Sequence, residues 1–266
     1  MSSNVMLGSN NLIISAVLTA GSAETALPIT NLQNDICDAS TGWQTTAGVL
    51  TAVAGATFTV TPAHPTSWRA FALVRTNLTP AAAVTLSLLS GTGGDTTLVW
   101  SATVGGPISA YRQVVVIAPT DLVADRLTVS IDDPTNPDGF INIPGAYAGS
   151  GWQPLVGMSW QSALGRDSLI DEAKSRGGQE YPIARWQQRR WEIAMDAIGG
   201  SELWSDAQEL DRISRYGGNI LFVPDVTSPT INNEAVFGRL ESVSDVTFIT
   251  GIVSLYGWRF RIRERL

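Results

Sequence analysis

The chain has a single cysteine, Cys37, a single histidine, His64, and a single lysine, Lys174. One thiol excludes an internal disulfide. It also excludes a cysteine-ligated zinc finger or iron–sulfur cluster held within one chain. Stability must therefore come from packing, and 266 residues suffice. A chain of that size buries roughly 70–75% of its unfolded surface. A Ser-His-Asp triad would have to use His64, which sits in the turn-forming Pro62-Ala63-His64-Pro65, and no Gly-x-Ser-x-Gly elbow occurs. Long apolar runs are missing too, since nothing approaches the ~20 residues of a membrane span. Residues 12–20 (LIISAVLTA) have the apolar look of an export signal, but no Lys or Arg precedes them. Residues 12–19 are expected to form a strand, in a soluble protein without an export signal.

Charge is sparse and acidic, with 17 basic against 24 acidic residues and a net charge of -7. A sequence-specific nucleic-acid binder would carry a basic stripe, so that function class is disfavoured. All basic residues except Lys174 are arginines. Arginine is weakly hydrated and forms fork-shaped contacts, which suits interfaces; arginine-rich coding bias gives the same count.

What is present reads as mainly β. Short runs rich in Val, Thr and Leu recur between Gly, Pro, Asn and Asp clusters. Residues 48–61 predict a hairpin turning near Ala54-Gly55. Strands are expected over 68–75, 84–89, 97–104, 112–117 and 126–131, with turns at 91–95 and 132–139. That spacing predicts a β-sandwich or jelly roll over residues 1–150. The small-residue stretch 145–151 marks the expected boundary.

Residues 151–266 differ. They hold all basic residues except Arg69, Arg75, Arg112 and Arg126. Trp191, Ile193 and Met195 alternate with Arg190, Glu192 and Ala194, the period of a half-buried strand. Residues 201–216 predict the one α-helix, capped by Ser201 and ended by Gly217-Gly218, with Leu203, Ala207, Leu210 and Ile213 as its apolar stripe. Residues 220–223 predict a strand, and 236–243 with 246–254 a strand pair around Ser244-Asp245. The last strand alternates most clearly, with Trp258, Phe260 and Ile262 set against Arg259, Arg261 and Arg263.

Candidate chemistry is thin. Asp132, Asp133, Asn136 and Asp138 form a loose oxygen cluster, but the spacing of a calcium loop and its distal Glu are missing. Turn chemistry accounts for the same residues. Glu172 and Glu180 match a carboxylate pair by residue type only. Residues 175–180 (SRGGQE) lack the Gly-Lys-Ser/Thr ending of a phosphate loop. The nine tryptophans suit core or subunit interface, although exposed ones could stack on sugar rings. No catalytic, cofactor or metal residue is assigned, and the chain is not expected to be an enzyme.

Leu27-Pro28-Ile29-Thr30-Asn31-Leu32 followed by Gly42-Trp43-Gln44-Thr45, then Phe71-Ala72-Leu73-Val74-Arg75-Thr76-Asn77-Leu78 and residues 131–141, resemble a discoidin-like (galactose-binding-like) sandwich. Together with Gly151-Trp152-Gln153-Pro154 and residues 175–180, they resemble phage and prophage minor tail proteins of the distal-tail type. Such proteins often carry an arginine after the closing strand, where Pro144-Gly145-Ala146 stands here. The resemblance implies a virion component of the phage tail tip, made in the host cytoplasm. It implies a tail-tube-like, ring-forming β domain with one helix over 151–266, joining tail tube to hub or fibre proteins. A hexameric ring is favoured, with a trimer as the other possibility. The alternative is an adhesion module gripping a host surface glycan; a cell-wall or capsule hydrolase is the weakest reading. The candidate subunit interface sets Arg259, Arg261 and Arg263 against Glu202, Asp206 and Glu209 of a neighbour.

Overall fold

A computed structural model describes residues 4–34, 36–91, 96–105, 111–241, 244–250 and 255–265. The chain is mainly β and divides into two units. One comprises residues 6–152 and 223–235; the other comprises residues 1–5, 153–222 and 236–266.

The first unit is a sandwich. The unit contains β1 (Met6–Gly8), which joins none of the sandwich sheets, and the sandwich strands β2 (Val17–Ala20), β3 (Trp43–Gln44), β4 (Thr57–Thr61), β5 (Thr66–Val74), β6 (Ala83–Ser90), β7 (Thr97–Gly105), β8 (Val114–Ala124), β9 (Arg126–Asp132), β10 (Asn142–Ile143) and β11 (Gly145–Gly149). A five-stranded sheet runs β2-β4-β9-β6-β7 and a three-stranded sheet β11-β5-β8, with β10 paired to β3. All these pairings are antiparallel. In β4, β6 and β9 apolar residues alternate with polar ones, so Phe58, Val60, Val84, Leu86, Leu88, Leu127, Val129 and Ile131 share one buried face. Trp68, Phe71, Leu73 and Val114 close the core from the other sheet. Each such side chain stabilises by about 1.5–3 kcal/mol on burial. Phe71 stacks between Trp68 and Trp100, at 6.3 and 5.6 Å. The indole N–H groups of Trp43 and Trp68 donate to the carbonyls of Ser22 and Ala124, both at 3.0 Å.

Segment 223–235 belongs to this unit and covers the edge of β8. The Gln113 amide donates to the carbonyls of Asn232 (2.7 Å) and Ala235 (2.8 Å), and Val115 N–H donates to Asn232 Oδ1 (2.7 Å). An exposed strand edge is a template for unwanted pairing, and these bonds occupy it.

The second unit holds β12 (Ala163–Lys174), β13 (Glu180–Gly199), β14 (Asn219–Val223), β15 (Val236–Glu241), β16 (Thr247–Thr250) and β17 (Leu255–Glu264). Their order is β14-β15-β17-β13-β12, and β16 also pairs with β17. The helical stretch 200–215 starts with Gly200–Glu202, passes through a π-helical turn at Leu203–Ala207 and ends in α-helix Gln208–Arg215. A short helix, Ile231–Glu234, follows β14 in the chain and lies in segment 223–235 of the first unit. Leu203, Ala207 and Leu210 are buried, as are Trp258, Phe260 and Ile262 of β17.

Several expectations are corrected. Residues 12–19 are not one strand: Asn11 Oδ1 accepts from Ile13 N–H (3.3 Å), and Leu12–Ile14 winds into a 3-10 turn before β2. Residues 48–61 are not a hairpin. Asp132 Oδ1 captures Ala52 N–H (2.9 Å), successive turns fill 48–55, and only β4 remains as strand. The boundary stretch 145–151 contains the wholly buried β11. Its glycines permit close packing, since a Cβ on Gly145 would meet Cys37 Sγ at 2.5 Å. The helix is capped at Gly199, whose N–H donates to Glu202 Oε2 (3.4 Å), and not by Ser201. Strands β15 and β16 each pair with β17 and not with each other. Residues 92–95, 242–243 and 251–254, parts of the expected 91–95 turn and of the 236–243 and 246–254 strands, lie outside the described residues.

Candidate functional site

The sheet of the second unit has a buried and an open face. On β17, Trp258, Phe260 and Ile262 point inward, while Arg259, Arg261 and Arg263 lie on the open side. Register carries that side across β13, where Ala194, Glu192 and Arg190 lie opposite Arg259, Arg261 and Arg263. It continues to Asp167 of β12, which bonds Arg190 at 2.5 Å. Charges alternate along it: Arg261 pairs with Glu192 (2.9 Å), and Arg263 lies 3.6 Å from Asp167 and 3.4 Å from Glu241. Arg259 donates to Gln161 Oε1 (2.7 Å).

The helix acids are used locally. Glu202 Oε1 accepts from Leu155 N–H (2.8 Å), and Asp206 accepts from the Ser205 hydroxyl. Glu209 accepts from Arg212 at 2.6 and 2.7 Å, and that guanidinium holds its carboxyl below the usual range. Among the described residues, Arg259, Arg261 and Arg263 bond to groups of the sheet and its flanking loop, and not to acids of the helix.

Beyond this lattice, β12 and β13 leave the sheet as a two-stranded ribbon turning at 175–179, where Ser175 N–H donates to Gln179 C=O (2.9 Å). The register shifts between Leu169 and Ile170, leaving Arg185 as an extra residue in β13. Trp186 and Ile183 are three apart and would otherwise face opposite sides. The bulge puts both beside Leu169 and Asp171 on the open face, and Tyr181 joins them opposite Ala173. Leu169, Trp186, Ile183 and Tyr181 are all 40–51% exposed. Glu172 and Glu180 sit on this ribbon, and Glu180 is paired with Lys174 at 2.7 Å. Trp160, Trp204, Tyr216 and Phe248 form further exposed aromatic surface on the same unit, with Trp160 at 90%.

The acidic cluster of the sandwich is spent on loop anchoring. Asp133 is fully buried and accepts from Thr79 N–H (2.9 Å), Thr79 Oγ1 (2.5 Å) and Asn136 Nδ2 (2.9 Å). Asp138 accepts from Asn77 Nδ2 (3.0 Å). Among the described residues no group of three metal-ligating side chains converges. His64 is exposed in the turn between β4 and β5. No helix is long and apolar enough to cross a membrane among the described residues.

Sequence reasoning missed three features. Arg189 of β13 is 2% exposed and gripped by Glu264, through Nη2 and through Nε at 3.0 Å. Its place between outward Gln188 and Arg190 hides it in an arginine-rich run. The second is the apolar stripe on the ribbon, which depends on a bulge that no periodicity announces. The third is a polar loop end of the sandwich. Asn142 N–H donates to Asn77 Oδ1 (2.7 Å), and Asn142 Nδ2 donates to Ala39 C=O (3.2 Å). Cys37, Arg75 and Arg112 meet there as the only non-glycine residues with positive φ among those described, at 58°, 59° and 53°.

The architecture defines the class: a mainly β protein with an antiparallel sandwich and a ribbon-bearing sheet. No protein-family model and no curated protein matches the chain. Solved structures similar to it include the family 32 carbohydrate-binding module of C. perfringens NanJ in complex with galactose, at 15% identity, 54% of this chain, 98% of that chain and TM-score 0.39. The family 32 module of Streptococcus pneumoniae EndoD gives 14%, 52%, 98% and 0.40. A Streptococcus pneumoniae fucose binding module gives 11%, 52%, 94% and 0.40.

Proposed function

We infer that the chain is a non-catalytic structural protein of a phage tail tip, a virion component that assembles with copies of itself into a ring and joins tail tube to hub or fibre. The observation that carries the assembly reading is the open sheet face, with its alternating charges and its apolar stripe on a projecting ribbon. A two-stranded ribbon is marginal in water, and exposed apolar stripes call for a partner. A second copy suits it because the same unit carries a different exposed aromatic set, including Trp160, Tyr216 and Phe248. Two unlike patches on one subunit make a head-to-tail contact, and such a contact gives a ring where the rotation between copies closes and a filament where it does not. Ile183→Asp with Trp186→Asp tests this by light scattering after gel filtration. The variant should melt as the parent does and run as a monomer. A parent that is monomeric at high concentration, or a variant that assembles normally, ends the reading. Antibody labelling of virions tests the tail-tip assignment separately.

A second reading, favoured by the polar loop end, is that the sandwich grips a host surface glycan. Loops on a rigid sandwich are where recognition groups concentrate. Its test is a glycan array probed with the full chain, in which saturable binding to any saccharide supports it and none removes it.

A further inference from the structure

Arg75 and Arg112 sit at adjoining strand ends. The last pair between β5 and β8 is Leu73 with Val114, and Arg75 and Arg112 follow and precede it by two residues at the same end of the two strands. The backbones stay joined there, since Thr76 N–H donates to Arg112 C=O at 2.8 Å and the Thr76 hydroxyl donates to it at 3.2 Å. Three features make this an expensive arrangement. Like charges directly opposite each other repel. Both residues adopt left-handed backbone, which non-glycine residues occupy at a cost in free energy. Both side chains are exposed, so no core packing compensates. Among the described residues neither forms an ion pair within 4 Å, whereas Arg69 of β5 has Asp121 at 3.9 Å. Arg75 Nη1 donates to Cys37 C=O, at 3.4 Å. The nearby Asp38 carboxylate is engaged first by Ser40, whose N–H and hydroxyl both donate to it at 2.7 Å, and the Arg75 charge adds to what holds it below the usual carboxylate range.

Repulsion kept at one loop end is offset when an anion arrives. A guanidinium pair presents planar donors that match a carboxylate two-to-two. The charged donors, rather than an exposed aromatic face, are the feature the two arginines share. We propose that Arg75 and Arg112 form a binding site for the carboxylate of an acidic sugar, such as a uronic or sialic acid. The proposal rests on the glycan reading of the sandwich and names its substrate class.

The full chain is titrated calorimetrically with sialyllactose, a glucuronic-acid oligosaccharide, neutral lactose, acetate and inorganic phosphate. An acidic saccharide should bind saturably, more weakly as salt rises, and at least tenfold more tightly than lactose, acetate or phosphate. Arg75→Gln and Arg112→Gln should each lower that affinity at least tenfold. Arg112→Gly separates binding from folding, because glycine accepts the left-handed backbone. It should raise the melting temperature while losing the ligand. Binding of lactose alone overturns the acidic-sugar site and leaves the glycan reading standing. Acetate or phosphate binding as tightly as the saccharides overturns it in favour of a simple anion site. Failure of every saccharide removes both readings, and unchanged affinity in the arginine variants overturns the site assignment.

Discussion

At the scale of single residues, buried polar groups hold this molecule in register. Arg189 and Glu264 are the sharpest case, a charge pair inside the second unit. Removing one partner strands the other, so Arg189→Ala should cost about 3–5 kcal/mol in urea denaturation. Arg189→Met with Glu264→Leu should recover most of that loss, because an apolar pair needs no desolvation. Asp133 plays the same part in the sandwich. Asp133→Ala leaves the Thr79 N–H, the Thr79 hydroxyl and the Asn136 amide without their acceptor. The expected destabilisation is about 3 kcal/mol. If the cluster around Asp133 held calcium, added calcium would raise the melting temperature of the parent. We expect no shift at millimolar calcium, because its oxygens already serve backbone and side-chain donors.

Elements show where local pattern stops being sufficient. The alternation in β17 is legible because one face meets a core and the other water, and burial follows it residue by residue. Segment 12–19 is ambiguous because its apolar content suits strand and turn alike, and Asn11 decides by capping the turn. The ribbon is legible only as a loop at 175–180, since its strands carry few of the long β-branched runs that announce a sheet. Its stripe depends on the bulge at Arg185. Inserting an alanine between Leu169 and Ile170, across from Arg185, should remove the bulge and place Trp186 and Ile183 on opposite faces. Such an insertion variant should keep the thermal stability of the sandwich and lose self-association in analytical ultracentrifugation, whereas deleting Arg185 should keep both aromatic and aliphatic side chains on one face and preserve association. Segment 223–235 is another element with no sequence signal of its destination. Gln113→Ala removes donors to two carbonyls in it, with an expected loss of about 2 kcal/mol and faster hydrogen exchange confined to 223–235 and the β8 edge.

At the scale of the whole molecule, two units share one chain that crosses between them repeatedly, at 5/6, 152/153, 222/223 and 235/236. Deleting residues 151–266 would therefore remove part of the sandwich unit. A fragment of residues 1–150 should melt lower than the sandwich does in the full chain, and adding 223–235 as a peptide should restore part of the difference. The expectation that the chain is not an enzyme is tested at this scale as well. Hydrolase screens with wall and capsule polysaccharides should give no turnover, and His64→Ala should leave every measured property unchanged.

The sequence by itself determined the β-rich class, the two-faced last strand and the helix near 201–216. Each follows from periodicity, which is a local property of the chain. Tertiary structure decided which polar residues are buried, because burial depends on what crosses over from elsewhere: Glu264 reaches Arg189, and Asp133 reaches Thr79. It also decided that Arg261 and Arg263 meet acids of their own sheet, since strand order and not sequence distance sets which charges are neighbours. Arg75 and Arg112 illustrate the same limit. They are 37 positions apart in sequence, and only the pairing of β5 with β8 places two like charges together at one loop end.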